Sequence, residues 1–185
     1  MKQEIVLFSG PIAVGKSTLC KNLESNFDFR KISSGEYLRI NASQKNLELS
    51  RENLQALGDQ FDEETDFEWI VKDVSKPILE ENADHGLWFV DAVRKRKQVE
   101  HFKAAFSHVC HVHLTAREDI LLKRYNQRNT DGEIKEGITL YAEAVNHPNE
   151  QAARGLIRFA DHVIDLSNTS PSAAAELVFN LIEGK

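Results

Sequence analysis

The segment Gly10-Pro11-Ile12-Ala13-Val14-Gly15-Lys16-Ser17 matches the pattern G-x-x-x-x-G-K-[ST]. Each element of that pattern has a chemical reason. Gly10 and Gly15 let the backbone wrap closely around phosphate oxygens, and successive N–H groups, including those of Ala13 and Val14, then point at the anion. Lys16 supplies a movable cation for the β- and γ-phosphates, Ser17 a hydroxyl for a magnesium ion, and Thr18 a further contact for the α-phosphate. The segment lies between an apolar run and a helical pattern, the context the chemistry requires, so a nucleoside triphosphate is the expected ligand.

Other residues could complete a phosphoryl-transfer site. Asp91 closes the apolar run Leu87-Trp88-Phe89-Val90, and an acid at the end of a parallel strand lies in the ligand crevice, where it can hold the magnesium ion through water. Arg94 follows three residues later, and Arg39 comes one helical turn after Gly35. Two arginines from separate segments can grip one phosphate through forked hydrogen bonds, so Gly35, Arg39 and Arg94 are candidate acceptor-binding residues. Arg124 and Arg128 are spaced i, i+4 and share a helix face, with Leu121, Leu122 and Tyr125 expected on the apolar one. Guanidinium groups there would neutralise charge on the moving phosphoryl group. Lys16, Asp91, Arg124 and Arg128 are thus the candidate catalytic residues, and Ser17 and Asp91 the candidate metal-holding pair. Lys95, Arg96 and Lys97 read as a solvated helix start, Arg154 and Arg158 as a solvated pair, and His108, His111 and His113 as strand residues rather than metal ligands.

These groups have to be held by regular elements. Ile5 to Phe8 reads as a buried strand and Lys16 to Leu23 as a helix; a short strand follows near Phe29 to Ile32. Ser33 with Glu36 forms a capping box that opens a helix. Ser50 is an N-cap for Arg51 to Leu57, with Gly58 a stop, and Asp66 to Leu79 is helical with a possible break at Pro77. Leu87 to Asp91, His108 to Leu114 and His162 to Leu166 read as strands. Gln98 to Phe106, Ile120 to Arg128, Ile138 to His147, Asn149 to Phe159 and Ala173 to Ile182 read as helices, with a loop at 129 to 137. Strand–helix alternation of this kind predicts an α/β fold with a parallel sheet covered on both faces and right-handed crossovers.

At 185 residues, the chain suits one domain. It is 41% hydrophobic and 28% charged, which excludes disordered and collagen-like classes. A net charge of −6 argues against nucleic acid as a partner, and no apolar stretch is long enough for a membrane span. Cys20 and Cys110 sit in apolar stretches and read as buried free thiols, consistent with a reducing, cytoplasmic compartment. Oligomeric state leaves no mark on the composition.

In sum, these motifs resemble the adenylate-kinase-type nucleoside monophosphate kinases. Ser9 to Thr18 is similar to that family's phosphate loop. Ile32-Ser33-Ser34-Gly35-Glu36-Tyr37-Leu38-Arg39 resembles its acceptor motif S/T-G-D-x-x-R, with Glu36 in place of aspartate. Asp91-Ala92-Val93-Arg94 resembles its D-G-x-P-R segment, with Ala92 and Val93 in place of glycine and proline, and Leu122 to Arg128 looks like its lid arginines. Residues 129 to 168 resemble dephospho-coenzyme A kinases more closely, and Ala160 to Asn168 is similar to their A-D-x-V-I-x-N segment. Arg51 to Gly58 looks like a helix of phage-type deoxynucleotide kinases. The resemblance implies a three-layer α/β/α P-loop NTPase over residues 1–185, with an acceptor-binding insertion at about 40–85 and a lid at about 124–155. It implies Mg·ATP as phosphoryl donor and a small phosphorylated acceptor such as a nucleoside monophosphate. Dephospho-coenzyme A or another small metabolite is the alternative acceptor, and an ATP-sensing module without transfer activity the alternative function.

Overall fold

The computed structural model describes residues 2–130 and 140–184, without the side chains at 51 and 128–130. Five strands, β1 (Glu4–Ser9), β2 (Arg30–Ile32), β3 (Leu87–Asp91), β4 (Val109–Thr115) and β5 (His162–Asp165), form one sheet in the order β2-β3-β1-β4-β5. Every pairing is parallel, and β1 is central, with Val6 opposite both Phe89 and Cys110. Side chains alternate along each strand, so each face has its own core. One face packs Val6, Phe8, Phe89, Val112 and Leu114 against α1 (Lys16–Phe27), α6 (Glu118–Thr130) and α9 (Pro171–Glu183). The other packs Ile5, Leu7, Trp88 and Val90 under a π-helical turn, Ile70–Ser75, and under α4 (Lys76–Glu81) and α5 (Arg96–Ala105). This is the three-layer α/β/α P-loop NTPase fold.

Between β2 and β3 the chain adds α2 (Ser34–Gln44) and α3 (Arg51–Glu64); after α6 come α7 (Tyr141–Asn146), α8 (Pro148–Gly155) and a 3₁₀ turn, Leu156–Phe159. The caps fall where the sequence puts them. Ser33 Oγ accepts the Glu36 N–H, and Ser50 Oγ accepts that of Asn53.

Several details depart from expectation. Gly58 does not end α3, which runs on to Glu64; it faces α2, where a Cβ would stand 3.4 Å from Leu38 Cδ1. The glycine serves the close approach of α2 to α3. The helix expected from Asp66 begins later, since Asp66 and Phe67 take positive φ (50° and 70°); residues 69–81 then run continuously helical, as a π-helix over Ile70–Ser75 and as α4 from Lys76, so Pro77 lies inside the helical run without ending it. Leu122 is exposed at 42%, so α6 buries Leu121 and Tyr125 without it. Helix α6 continues through Thr130; the remainder of the loop expected at 129–137 lies outside the described residues. Cys20 and Cys110 are buried free thiols, and burial pushes the Cys20 pKa up. No helix among the described residues is long and apolar enough to cross a membrane.

Candidate functional site

Neighbouring strands β1 and β3 send their following helices to opposite faces of the sheet, α1 to one and α5 to the other. A crevice opens at their carboxyl ends. The loop from Gly10 to Gly15 fills its edge. Gly10 has φ +137°, and a Cβ there would stand 2.4 Å from the Leu114 carbonyl oxygen, so only glycine fits. Gly15 (φ +109°) is the N-cap of α1, which leaves the first N–H groups of that helix directed into the crevice.

The loop separates two hollows. The larger, about 810 Å³, is lined by Gly10, Lys16, Ser17, Gly35, Arg39, Asp91 and Arg94, along with Ala13, Val14 and Gly15. Lys16 Nζ donates to the Gly10 carbonyl oxygen at 3.3 Å. Burial pulls the Lys16 pKa down; Asp91 raises it, and Arg94 lowers it further. Asp91 forms an ion pair with Lys31 Nζ at 2.9 Å; burial lowers the Lys31 pKa, but the hydrogen bond to Asp91 and its charge together hold it above the ordinary value. The guanidinium groups of Arg39 and Arg94 are exposed and carry no ion pair or side-chain hydrogen bond among the described residues. That of Arg39 folds back over Gly35, its Nη1 3.6 Å from where a Cβ would stand.

The smaller hollow, about 270 Å³, lies behind Ala13, Val14 and Gly15 and is lined by Thr18, Arg124, Leu166 and Pro171. Arg124 belongs here and not with Arg39 and Arg94. Its Nη1 donates to the Val14 carbonyl at 2.7 Å and its Nη2 to that of Leu166 at 2.9 Å, clamping the phosphate loop to the end of β5. The Arg128 side chain lies outside the described residues.

Residues 6–146 match the AAA domain family. The chain belongs to that family. The chain is 29% identical over 106 residues to a UPF0200/UPF0201 protein of Archaeoglobus fulgidus, a match covering 57% of this chain and 32% of that protein. It thus spans about a third of that relative's length. Its fold is shared with a sugar kinase from Janibacter sp. HTCC2649 (TM-score 0.57, 15% identity, 99% of this chain and 95% of that one). It is also shared with the shikimate kinase from Aquifex aeolicus (TM-score 0.60, 15% identity, 97% and 96%).

Sequence reasoning missed several groups at the AAA domain's larger hollow. Lys95 is no solvated helix start: its Nζ lies 2.8 Å from Asp59 Oδ1 and 3.0 Å from Asp62 Oδ2. Arg154 is no solvated residue either, since its Nε donates to Glu150 Oε1 at 2.9 Å, and that same oxygen accepts the Ile12 N–H at 2.9 Å. Helix α8 therefore rests a carboxylate on the phosphate loop. These are contacts between segments far apart in the chain, and no local spacing announces them; only the i, i+4 relation of Glu150 and Arg154 was visible. Beneath the loop, Ser9 Oγ lies 2.7 Å from His111 Nε2 and 2.8 Å from His113 Nδ1, with all three residues buried.

Proposed function

We propose that this chain is a small-molecule kinase, moving the γ-phosphoryl group of ATP to a small phosphorylated acceptor such as a nucleoside monophosphate. The observation that carries this reading is the pair of uncommitted guanidinium groups, Arg39 and Arg94, lining the same hollow as Lys16, Ser17 and Asp91. A triphosphate on the loop accounts for Lys16 and Ser17. It does not account for two further arginines from separate segments, whereas a second phosphate does.

In this reading the adenine and ribose enter the smaller hollow, the triphosphate follows the loop, and its γ-phosphate faces the larger one. Ser17 and Asp91 fit a magnesium ion, since a hydroxyl and a carboxylate reach the same hollow beside the loop. The ion, when bound, neutralises charge on the β- and γ-oxygens. Lys16 holds the transferring group, and Arg39 and Arg94 align the acceptor phosphate in line with it, so that rate comes from positioning and charge. Lys31 holds the Asp91 carboxylate on the other side. Arg124 maintains the loop's shape through its two carbonyl contacts.

The test is a panel of nucleoside monophosphates, nucleosides, phosphosugars and dephospho-coenzyme A with Mg·ATP, scoring ADP. Turnover requiring an acceptor phosphate supports the reading. Phosphorylation of unphosphorylated nucleosides alone, or slow hydrolysis indifferent to every acceptor, sinks it. In Arg94→Ala, acceptor KM rises or kcat falls while ATP binding holds; an equal loss of ATP affinity would move Arg94 to the donor side.

A further inference from the structure

The larger hollow is electrically polarised. Its near end carries four cations, Lys16, Lys31, Arg39 and Arg94, against two acids, Asp91 and Glu150, beside the phosphate loop. Its far wall, built from α3 and the start of α5, carries Asp59, Asp62, Lys95 and Gln98. Arg94 and Lys95 are successive residues with different destinations. Arg94 acts electrostatically on Lys16. Lys95 is extended (φ −128°, ψ 144°), so its side chain diverges from that of Arg94 and reaches α3.

The groups of the far wall are committed to different degrees. Asp62 is 4% exposed. Its Oδ1 accepts Trp69 Nε1–H at 2.8 Å and Gln98 Nε2–H at 3.2 Å, and its Oδ2 lies 3.0 Å from Lys95 Nζ. Gln98 Oε1 accepts the backbone N–H groups of Arg94 and Lys95 at 2.9 and 3.2 Å, fixing the segment that carries both cations. Asp62 is therefore the anchor. Asp59 is different: its side chain is 44% exposed, and Lys95 is its one partner among the described residues. Lys95 Nζ has three hydrogens and spends two on the aspartates, with the Phe67 ring centroid 5.5 Å away on another side. Burial alone would lower its pKa, but the bonds to Asp59 and Asp62 hold it above the ordinary value, so it remains charged.

Two consequences follow for whatever extends from the near end to the far one. The far wall holds two carboxylates against one ammonium and is net negative, so a second anionic group there would be repelled. A carboxylate only accepts and an ammonium only donates, so Asp59 and Lys95 side by side present an acceptor next to a donor. Its complement is a neutral edge with a donor next to an acceptor: an N–H beside a carbonyl, or an amino group beside a ring nitrogen. Sugar hydroxyls each do both and have no such polarity.

Resting on the kinase reading above, we propose that Asp59 and Lys95 select an acceptor whose end remote from its phosphate is a neutral nucleobase edge, so that the pair sets the enzyme's preference for nucleotides over phosphosugars and doubly anionic acceptors. Asp62, Trp69 and Gln98 are positioning residues for that pair.

The test compares kcat/KM for the best nucleoside monophosphate with that for ribose 5-phosphate, which has the phosphate and sugar but no base. The ratio is expected to exceed about 10 in the wild type, since one well-made polar contact to a substrate is worth at least that. In Asp59→Asn it is expected to fall by about 10-fold or more, with the KM for ATP unchanged. Asp59 is half-exposed and outside the core, so the variant should fold, which a melting curve checks; Asp59→Ser is the second variant. If the wild type uses a nucleotide and ribose 5-phosphate equally, or the ratio survives both substitutions, the selection role is wrong and the kinase reading stands. If no phosphorylated acceptor is used at all, both fall together.

Discussion

Lowering the pH should unfold this protein through His113, and the size of the effect can be worked from its contacts. His111 Nδ1 faces the Phe159 carbonyl oxygen at 3.1 Å, so that nitrogen carries the proton and His111 Nε2 is an acceptor. Ser9 must then donate its hydroxyl hydrogen to His111 Nε2 and accept from His113 Nδ1–H. Both imidazoles are neutral in this arrangement; a further proton on His111 would take Nε2 and leave the Ser9 hydroxyl hydrogen without an acceptor, and one on His113 would take its Nε2 and put a charge on a buried ring. Burial first, then repulsion from His111 once it takes a proton and from Lys16, pushes the His113 pKa from 6.5 down to about 4. The His111 pKa is also lowered, by burial first and by Lys103 after it, against the Phe159 carbonyl and Asp161, which raise it. Between those values the unfolded chain holds a proton that the folded chain excludes, so stability is fully present above pH 6.5 and is lost as pH falls toward 4. The displacement corresponds to about 3 kcal/mol at 1.36 kcal/mol per pH unit, a large share of a typical domain's stability. Urea unfolding followed by tryptophan fluorescence at about pH 7 and about pH 4.5 measures it. His113→Phe will be less stable at both values, but its loss between them should be smaller by about 2 to 3 kcal/mol, since the carboxylates titrate equally in both proteins. Identical losses in the two proteins would refute the account of His113 as a proton-excluding site.

Other perturbations have equally definite outcomes. Gly10→Ala forces a methyl group to within 2.4 Å of the Leu114 carbonyl oxygen in a left-handed backbone, so it should cost about 3 kcal/mol or more and abolish ATP binding; a normal melting curve with normal binding would contradict the geometry. Lys16→Ala should reduce phosphoryl transfer by about 10²-fold or more without unfolding the chain, and full activity would remove Lys16 from the site. In Glu150→Ala the carboxylate leaves the Ile12 N–H, and affinity for ATP should rise by about 10-fold at low salt; a fall in affinity would mean that Glu150 assists binding.

The strands and the phosphate loop could be read from the sequence because their causes are local. Ile5 to Phe8 is apolar throughout because β1 is covered on both faces, and Gly10 and Gly15 sit where the backbone needs positive φ. The limits of that reading are tertiary. His108 to Leu114 alternates as a half-exposed strand would, yet Cys110 to Leu114 are all buried, because Ser9 and a carbonyl from the 3₁₀ turn satisfy the histidines. Gly58 reads as a stop and is instead a packing contact. The i, i+4 spacing singles out Arg124 but not its partners, since the Val14 and Leu166 carbonyls come from 110 and 42 residues away. Lys95 lay hidden in a basic run whose other members, Arg96 and Lys97, do pair on the surface with Glu100 and Asp66.

The charges around the phosphate loop bear on the choice between sensing a nucleotide and reacting it with something. Like charges held close together in a partly dry hollow oppose one another until an anion lies between them. Here Arg94 works against Lys16, adding to the burial that already lowers its pKa. The chain carries a net −6 and has acids within reach, and it spends them on Lys31 and Lys95 rather than on Arg39 or Arg94. Two guanidinium groups thus remain uncompensated beside a third cation, and an arrangement that is unfavourable when empty becomes favourable once an anion lies between them. On the proposed kinase reading, a triphosphate on the loop meets Lys16 first, and Arg39 and Arg94, which come from separate segments lining the same hollow, are left to meet the phosphate of an acceptor.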